Sequence, residues 1–201
     1  MNLRAATPLL VLVALVLAAP QARAQAVELT AFGGLSFGGE LVETPGYESA
    51  PLQAGLLYGG AFNVEFIPRW RFEALVMREE SKVPGPARGM YVDVNVDRYM
   101  AGLQSQEPIS RRFDVFGEVM LGATRYQPRG YESELWFTLG VAAGVKGFVT
   151  RNLGFRFEGR AYYTPVSIGG VGVCGGYGCI IGYTGTGTFQ GDVAAGVIIG
   201  F

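Results

Sequence analysis

The sequence contains no histidine. Imidazole is the usual general base near neutral pH and the commonest side-chain metal ligand, so its absence argues against hydrolases of the Ser–His type and against His-bearing metal centres. Charge is also scarce. Asp, Glu, Lys and Arg make up 16% of the chain, against roughly 25% in ordinary soluble proteins. The formal net charge is -1, which leaves no basic footprint for nucleic acid. Cysteine occurs twice, at Cys174 and Cys179. Long apolar runs are missing as well: the longest lies between Leu9 and Ala19, short of the ~20 residues that a membrane-spanning helix needs.

That apolar stretch has another reading. In "MNLRAATPLLVLVALVLAAPQARAQ" it follows a basic leader with Arg4 and precedes Ala22-Arg23-Ala24, a small-x-small cleavage site. Residues 1–24 are expected to be a cleaved secretory signal peptide, and residues 25–201 a single domain. The leader removes two arginines and no acid, so the exported chain is slightly more acidic than the whole.

What the sequence has in quantity is glycine, 31 residues, and aromatics, 12%. Export, few charges and the lack of an apolar helix together point to a protein that meets lipid through strands. Alternating apolar and polar residues recur at about 27–39, 52–66, 69–80, 89–106, 112–126, 134–149, 153–164 and 186–201. In "RRFDVFGEVMLGAT", Phe113, Val115, Gly117, Val119 and Leu121 share one face opposite Asp114, Phe116, Glu118 and Met120, because successive strand side chains point to opposite sides.

The connections alternate in length. "IPRW", "EPISRR" and "VTRN" are short, whereas "ELVETPGYESAP", "SKVPGPAR", "QPRGYES" and "TPVSIGGVGVCGGYGCIIGYTG" are long. Hairpin pairing then puts short turns and both termini at one end of a barrel and long loops at the other. The fold class expected is all-β: an eight-stranded antiparallel up-and-down transmembrane β-barrel. One strand resists a single phase. In "MYVDVNVDRYMAGLQ" the apolar set switches from Val92, Val94 and Val96 to Tyr99, Ala101 and Leu103, so either a bulge lies near Asp97 and Arg98 or the upper half of the strand projects into water.

Alternation alone does not say which face is inside, since a soluble barrel or sandwich has the same period. Three features favour lipid on the outside. Aromatics sit near the short-turn ends of the apolar faces, at Phe66, Trp70, Phe113, Phe155 and Phe201, and near the loop ends at Tyr58, Tyr163 and Phe189, as interfacial girdles do. The polar faces mix charges with Gly, Ala and Ser, as a narrow interior requires. The sequence given closes on "QGDVAAGVIIGF", an alternating strand ending in Phe201.

On these residues the chain resembles the small OmpA/OmpX-type outer-membrane barrels across residues 25–201. The resemblance implies that Val193, Val197, Ile199 and Phe201 form the terminal signal read by the barrel-assembly machinery, with the last strand closing against residues 27–39. It implies residence in the outer membrane of a Gram-negative bacterium, in contact with the lipid bilayer and lipopolysaccharide, with periplasmic termini. Outer-membrane enzymes such as lipid A deacylases, palmitoyltransferases and omptin proteases use a catalytic His that this sequence lacks.

By parity the interior holds Glu65, Arg71, Glu73, Asp114, Glu118, Lys146, Arg156, Glu158, Arg160 and Asp192. A catalytic carboxylate pair, a polar channel lining and an ion-pair network filling the lumen are the three readings of that set, the network being preferred. Cys174 and Cys179, in "CGGYGC" of an exported chain, are expected to form a disulfide. Gly170-x-Gly172-x-x-Gly175 formally matches a dinucleotide fingerprint, but it opens no helix after a parallel strand and is read as accidental. No catalytic residue, cofactor or metal is expected. The role expected is non-enzymatic, envelope-structural or surface-binding, with loop residues such as Tyr47, Tyr131, Glu132 and Tyr177 available to an extracellular ligand. The alternative is a narrow pore for small apolar molecules, in the manner of OmpW-like barrels, lined by Leu57, Leu75, Met77, Phe116, Met120 and Trp136.

Overall fold

The computed structural model describes residues 26–41, 50–84, 91–130, 132–165, 173–175, 178–181 and 188–201. The expected signal peptide, Tyr47, Tyr131, Tyr177, Gly170 and Gly172 lie outside the described residues. Twelve strands are present: β1 Val27–Gly38, β2 Glu40–Leu41, β3 Ala50–Pro51, β4 Gly55–Ile67, β5 Trp70–Pro84, β6 Tyr91–Pro108, β7 Phe113–Pro128, β8 Glu134–Phe148, β9 Leu153–Thr164, β10 Val173–Gly175, β11 Gly178–Ile181 and β12 Thr188–Gly200. Eight of them close into an antiparallel barrel in the order β1-β12-β9-β8-β7-β6-β5-β4. The two short pairs, β2 with β3 and β10 with β11, stand beyond it at the long-loop end.

Every barrel strand buries alternate residues, and the buried set is the polar one. On β5, Arg71, Glu73, Leu75, Met77, Glu79, Ser81 and Val83 point inward, while Trp70, Phe72 and Val76 are exposed. The same inversion holds on β8, where Leu135, Phe137, Leu139 and Val141 are exposed and Thr138 and Lys146 are fully buried. Large apolar side chains exposed around the circumference of the wall, about a charged and buried interior, are the reverse of a soluble barrel. The expected aromatics take their places. Phe66, Trp70 and Phe113 are exposed near the short turns, Tyr58, Tyr163 and Phe189 near the opposite end, and Phe113 and Phe155 stack edge to face at 6.0 Å.

Strand β6 keeps one phase throughout. Its register with β5 and β7 runs without a break past Asp97 and Arg98, so no bulge lies there; in the main barrel the irregularity is between Glu65 and Ile67, beside the first short turn. The even residues from Val94 to Gln104 all point inward. The switch in the apolar pattern arises because both surroundings change at one height: outward Tyr99, Ala101 and Leu103 give way to Asp97, Asn95 and Asp93, while inward Gln104 and Arg98 give way to Val96 and Val94. The upper half of the strand carries a polar outer face, in keeping with the second of the two expected alternatives. Arg78, Glu80 and Lys82 on β5 and Arg125 and Gln127 on β7 continue this polar outer wall.

An apolar cluster gathers toward the long-loop end. Leu52, from the segment entering β4, joins Val83, Val94, Val96 and Tyr126, with Val92 and Trp136 packed against them. Leu52 is fixed there by donating its N–H to the Gly39 carbonyl at 2.9 Å.

Cys174 and Cys179 face each other in the β10-β11 ladder. The side chains of this pair, and with them the expected disulfide, lie outside the described residues.

Candidate functional site in the barrel interior

The interior charges form layers. Nearest the short turns, Glu28 on β1 accepts Lys146 Nζ from β8 at 2.7 Å and lies 3.0 Å from Arg71 Nη1 of β5. Arg71 also reaches Glu65 at 3.0 Å, whose side chain is 30% exposed at the rim. Lys146 donates further to Gln104 Oε1 at 2.7 Å and Gln106 Oε1 at 3.3 Å, and Gln106 Nε2 in turn holds Asp114 at 2.6 Å.

Above this layer Arg156 of β9 is the hub. Its Nη1 meets Glu73 Oε2 on β5, its Nη2 lies 3.3 Å from Glu118 Oε2 on β7, and Nε and Nη2 both reach Glu158 Oε2, at 3.0 and 2.6 Å. Asn63 Nδ2 adds a bond to Glu73 at 2.7 Å, and Gln104 Nε2 one to Glu118 at 3.2 Å. Glu158 Oε1 accepts Arg160 Nη2 at 2.6 Å, and Arg160 Nε stands 3.7 Å from Asp192 Oδ1. In the barrel order β9 and β5 lie four strands apart on an eight-strand circuit, so the Arg156–Glu73 pair spans the interior. Guanidinium groups also cover aromatic faces: Arg156 lies 4.5 Å from the Phe116 ring centre and Arg160 4.2 Å from that of Phe32, a contact that favours a cation strongly once desolvated.

A third set was not foreseen from the sequence. Arg98 on β6 pairs with Glu79 at 2.8 Å, donates to Gln190 on the opposite strand β12, and lies 4.7 Å from the Tyr162 ring centre. Tyr126 donates to the same Gln190 oxygen at 3.3 Å. Nearby, Thr124, Thr138 and Thr164 link three strands through their hydroxyls, at 2.7 and 3.0 Å. Arg98 and Glu79 were hidden by the unresolved phase of β6 and by the outward Glu80 beside Glu79. Glu28, at the start of β1, is legible only through its parity with Thr30 and Phe32.

Of the ten expected interior charges, Arg71, Glu73, Glu118, Lys146, Arg156, Glu158, Arg160 and Asp192 are buried, while Glu65 and Asp114 are partly exposed near the short turns; the arrangement is a mutual one, in which Arg71, Lys146, Arg156, Arg160 and Arg98 each face carboxylates. Chemically this favours rigidity. A carboxylate already occupied by a guanidinium is a poor general base, and an interior filled with side chains leaves little room for substrate.

The six apolar residues expected to line a lumen do not form one stretch. Leu57, Leu75, Met77 and Met120 pack with Phe32, Met100 and Tyr162 in mid-barrel; Phe116 lies beneath Arg156 and Lys146; Trp136 belongs to the mouth cluster. Phe116 is separated from the mid-barrel set by the layer of Arg156, Glu73 and Glu118, and Trp136 from it by the layer of Arg98 and Glu79.

The expected closing strand is in place. β12 pairs with β1 from Gln190 to Gly200, and Val193, Val197 and Ile199 are about half exposed on its lipid-facing side. Phe201 donates its N–H to the Val27 carbonyl at 2.9 Å. Outside the barrel, two grooves mark the wall. One of about 1000 Å³ runs along the polar upper part of β4 to β7, bordered by Glu80, Lys82, Asp93, Asn95, Gln127 and Arg129. A smaller one of about 400 Å³ lies lower, between Tyr58 and Tyr99 over Gly60 and Val76.

No known family and no curated protein matches the chain by sequence. Solved structures do match. Neisserial surface protein A (NspA) is 16% identical, with a TM-score of 0.59 over 88% of this chain and 97% of its own. The outer membrane protein AlkL, seen in lipid bilayers, is 12% identical, with a TM-score of 0.55 over 92% and 94%. The N-terminal barrel domain of Pseudomonas aeruginosa OprF is 10% identical, with a TM-score of 0.44 over 88% and 100%. With its closed eight-strand circuit, apolar wall and charged interior, the chain has the fold of the small OmpA/OmpX-type outer-membrane β-barrels.

Proposed function

We propose that this protein is a non-enzymatic barrel of the Gram-negative outer membrane, exported by a signal peptide at residues 1–24, with periplasmic termini and a structural or surface-binding role carried at its outer end. The observation that carries this reading is the interior network: its cations are committed to ion pairs, that of Arg156 with Glu73 reaching across the barrel, and an apolar cluster packs above them. What remains for recognition is the outer end, with its polar wall and the groove along it. Loops carried on a rigid scaffold are the common place for binding. In the same reading, Val193, Val197, Ile199 and Phe201 present the outward stripe by which the assembly machinery takes up the last strand.

A direct test uses the refolded protein in nanodiscs on an array of glycans and matrix proteins. It is compared with a form in which residues 166–187 are replaced by a short Gly-Ser turn, and with a Glu118→Gln form. Binding that disappears with the loop and survives Glu118→Gln supports the reading. Binding that follows the interior substitution, or no binding by any form together with turnover of added lipid, contradicts it.

A further inference from the structure

The three short turns repeat a pattern that the barrel itself does not require. They read Ile67-Pro68-Arg69, Ile109-Ser110-Arg111 and Val149-Thr150-Arg151: an aliphatic residue and, two positions later, an arginine. The aliphatic side chains are 51%, 64% and 63% exposed.

The second and third turns are built alike. Ile109 and Ser110 both donate to the Phe113 carbonyl, at 3.0 and 3.1 Å, as Val149 and Thr150 do to that of Leu153, at 2.9 and 3.1 Å. The Ser110 hydroxyl accepts from Arg112 and Phe113, and the Thr150 hydroxyl from Asn152 and Leu153, which fixes the turn and so the direction in which each arginine leaves the wall. The first turn uses Arg69 itself at φ 72, its carbonyl held by the Gln106 N–H at 2.8 Å.

Residues 67–70, 107–113 and 148–153 carry four arginines, Arg69, Arg111, Arg112 and Arg151, and one acid, Glu107. Glu107 pairs with Arg69 at 3.0 Å, but both side chains are more than half exposed, so that pair holds the guanidinium weakly.

We infer that these turns form a ring of contacts for anionic phospholipid headgroups in the leaflet at the short-turn end, with each aliphatic residue seated in the interface and each arginine on a phosphate. Three observations select a lipid over a single soluble ligand. The turns join β4 to β5, β6 to β7 and β8 to β9, so they are spread round the rim and cannot converge on one small molecule. The aliphatic residues continue the girdle of Phe66, Trp70, Phe113 and Leu153, exposed on the same edge. Arginine on a short, fixed turn just beyond an aromatic belt is placed to bind phosphate oxygens in pairs, while its stem lies along apolar surface.

The inference rests on the reading of the chain as an outer-membrane barrel. Its test is the selectivity for spin-labelled phosphatidylglycerol over spin-labelled phosphatidylcholine of the motionally restricted lipid around the full mature barrel in bilayers. The wild type is expected to favour phosphatidylglycerol about two- to fivefold. R69Q/R111Q/R112Q/R151Q brings the ratio close to one, while R78Q/R125Q/R129Q at the other end leaves it unchanged. A wild type without preference, a preference that survives the turn substitutions, or one lost only with the second variant overturns the inference. Failure of the wild type to enter the bilayer overturns the outer-membrane reading as well, which separates the two.

Discussion

Arg156 and Glu73 meet in the middle of the barrel from opposite walls, 83 residues apart in sequence and both 1% exposed at the side chain. Neither charge has water to return to, so each is tolerated because the other is there. Removing one partner of such a buried pair costs about 3–5 kcal/mol, whereas replacing both by apolar groups of similar volume costs far less. Arg156→Met and Glu73→Leu singly are each expected to lower the urea midpoint of the refolded barrel strongly, and the double variant to lose less than the sum of the two without returning to the wild-type value, because Glu118 and Glu158 still lose Arg156. Equal additive losses would show that the pair does not act as a unit.

A contrast comes from the rim. Asp93 faces Lys82 at 3.9 Å and Arg129 at 3.5 Å, with all three side chains more than half exposed. Asp93→Asn is expected to change stability by less than about 1 kcal/mol, because solvent screens such pairs. The same unfolding measurement checks it.

Glycine positions separate the two faces. A Cβ at Gly144 would stand 2.7 Å from the Phe116 ring and 2.3 Å from the Phe157 carbonyl oxygen, whereas one at Gly117 would meet nothing within 4 Å. Gly144→Val is expected to cost about 1–3 kcal/mol or to block folding, as overpacking does. Gly117→Ala should be close to neutral. Heat-modifiable gel mobility and urea titration read both.

The height at which β6 leaves the lipid also has a consequence. Val119, 60% exposed in the apolar band, and Asn95, on the outer polar wall, both face away from the barrel. Val119→Arg is expected to cost about 2–4 kcal/mol and Asn95→Arg about 0–1, following the depth dependence of charge on a lipid-facing strand. Similar costs at the two positions would mean that the upper wall is in lipid after all.

The fold was legible because each strand repeats its alternation for long enough to fix number and phase, and because short and long connections alternate. Eight of the buried charges, from Arg71 to Asp192, were readable from parity once the apolar face was turned outward. The failures have separate causes. Above Arg78 and Asp97 the outer solvent becomes water while the interior becomes apolar, so Val94 and Val96 read like lipid-facing residues and the phase of β6 could not be settled; Arg98 was lost with it. Trp136 was placed beside Phe116 because parity gives a face but not a height, and the two are held apart by the charged layers between them. Glu28 stands at a strand end, where a single acidic residue carries no periodic signal.

The central claim is that side chains, locked by Arg156 and Lys146, close the interior. Single-channel recording of the refolded protein, residues 25–201, in a planar bilayer in concentrated salt tests it most directly, with insertion verified by protection from protease. The inserted wild type is expected to give no ion-conducting steps. Reproducible steps whose size changes with Arg156→Ala would contradict it, because they require a water-filled path through the layer that this arginine holds shut.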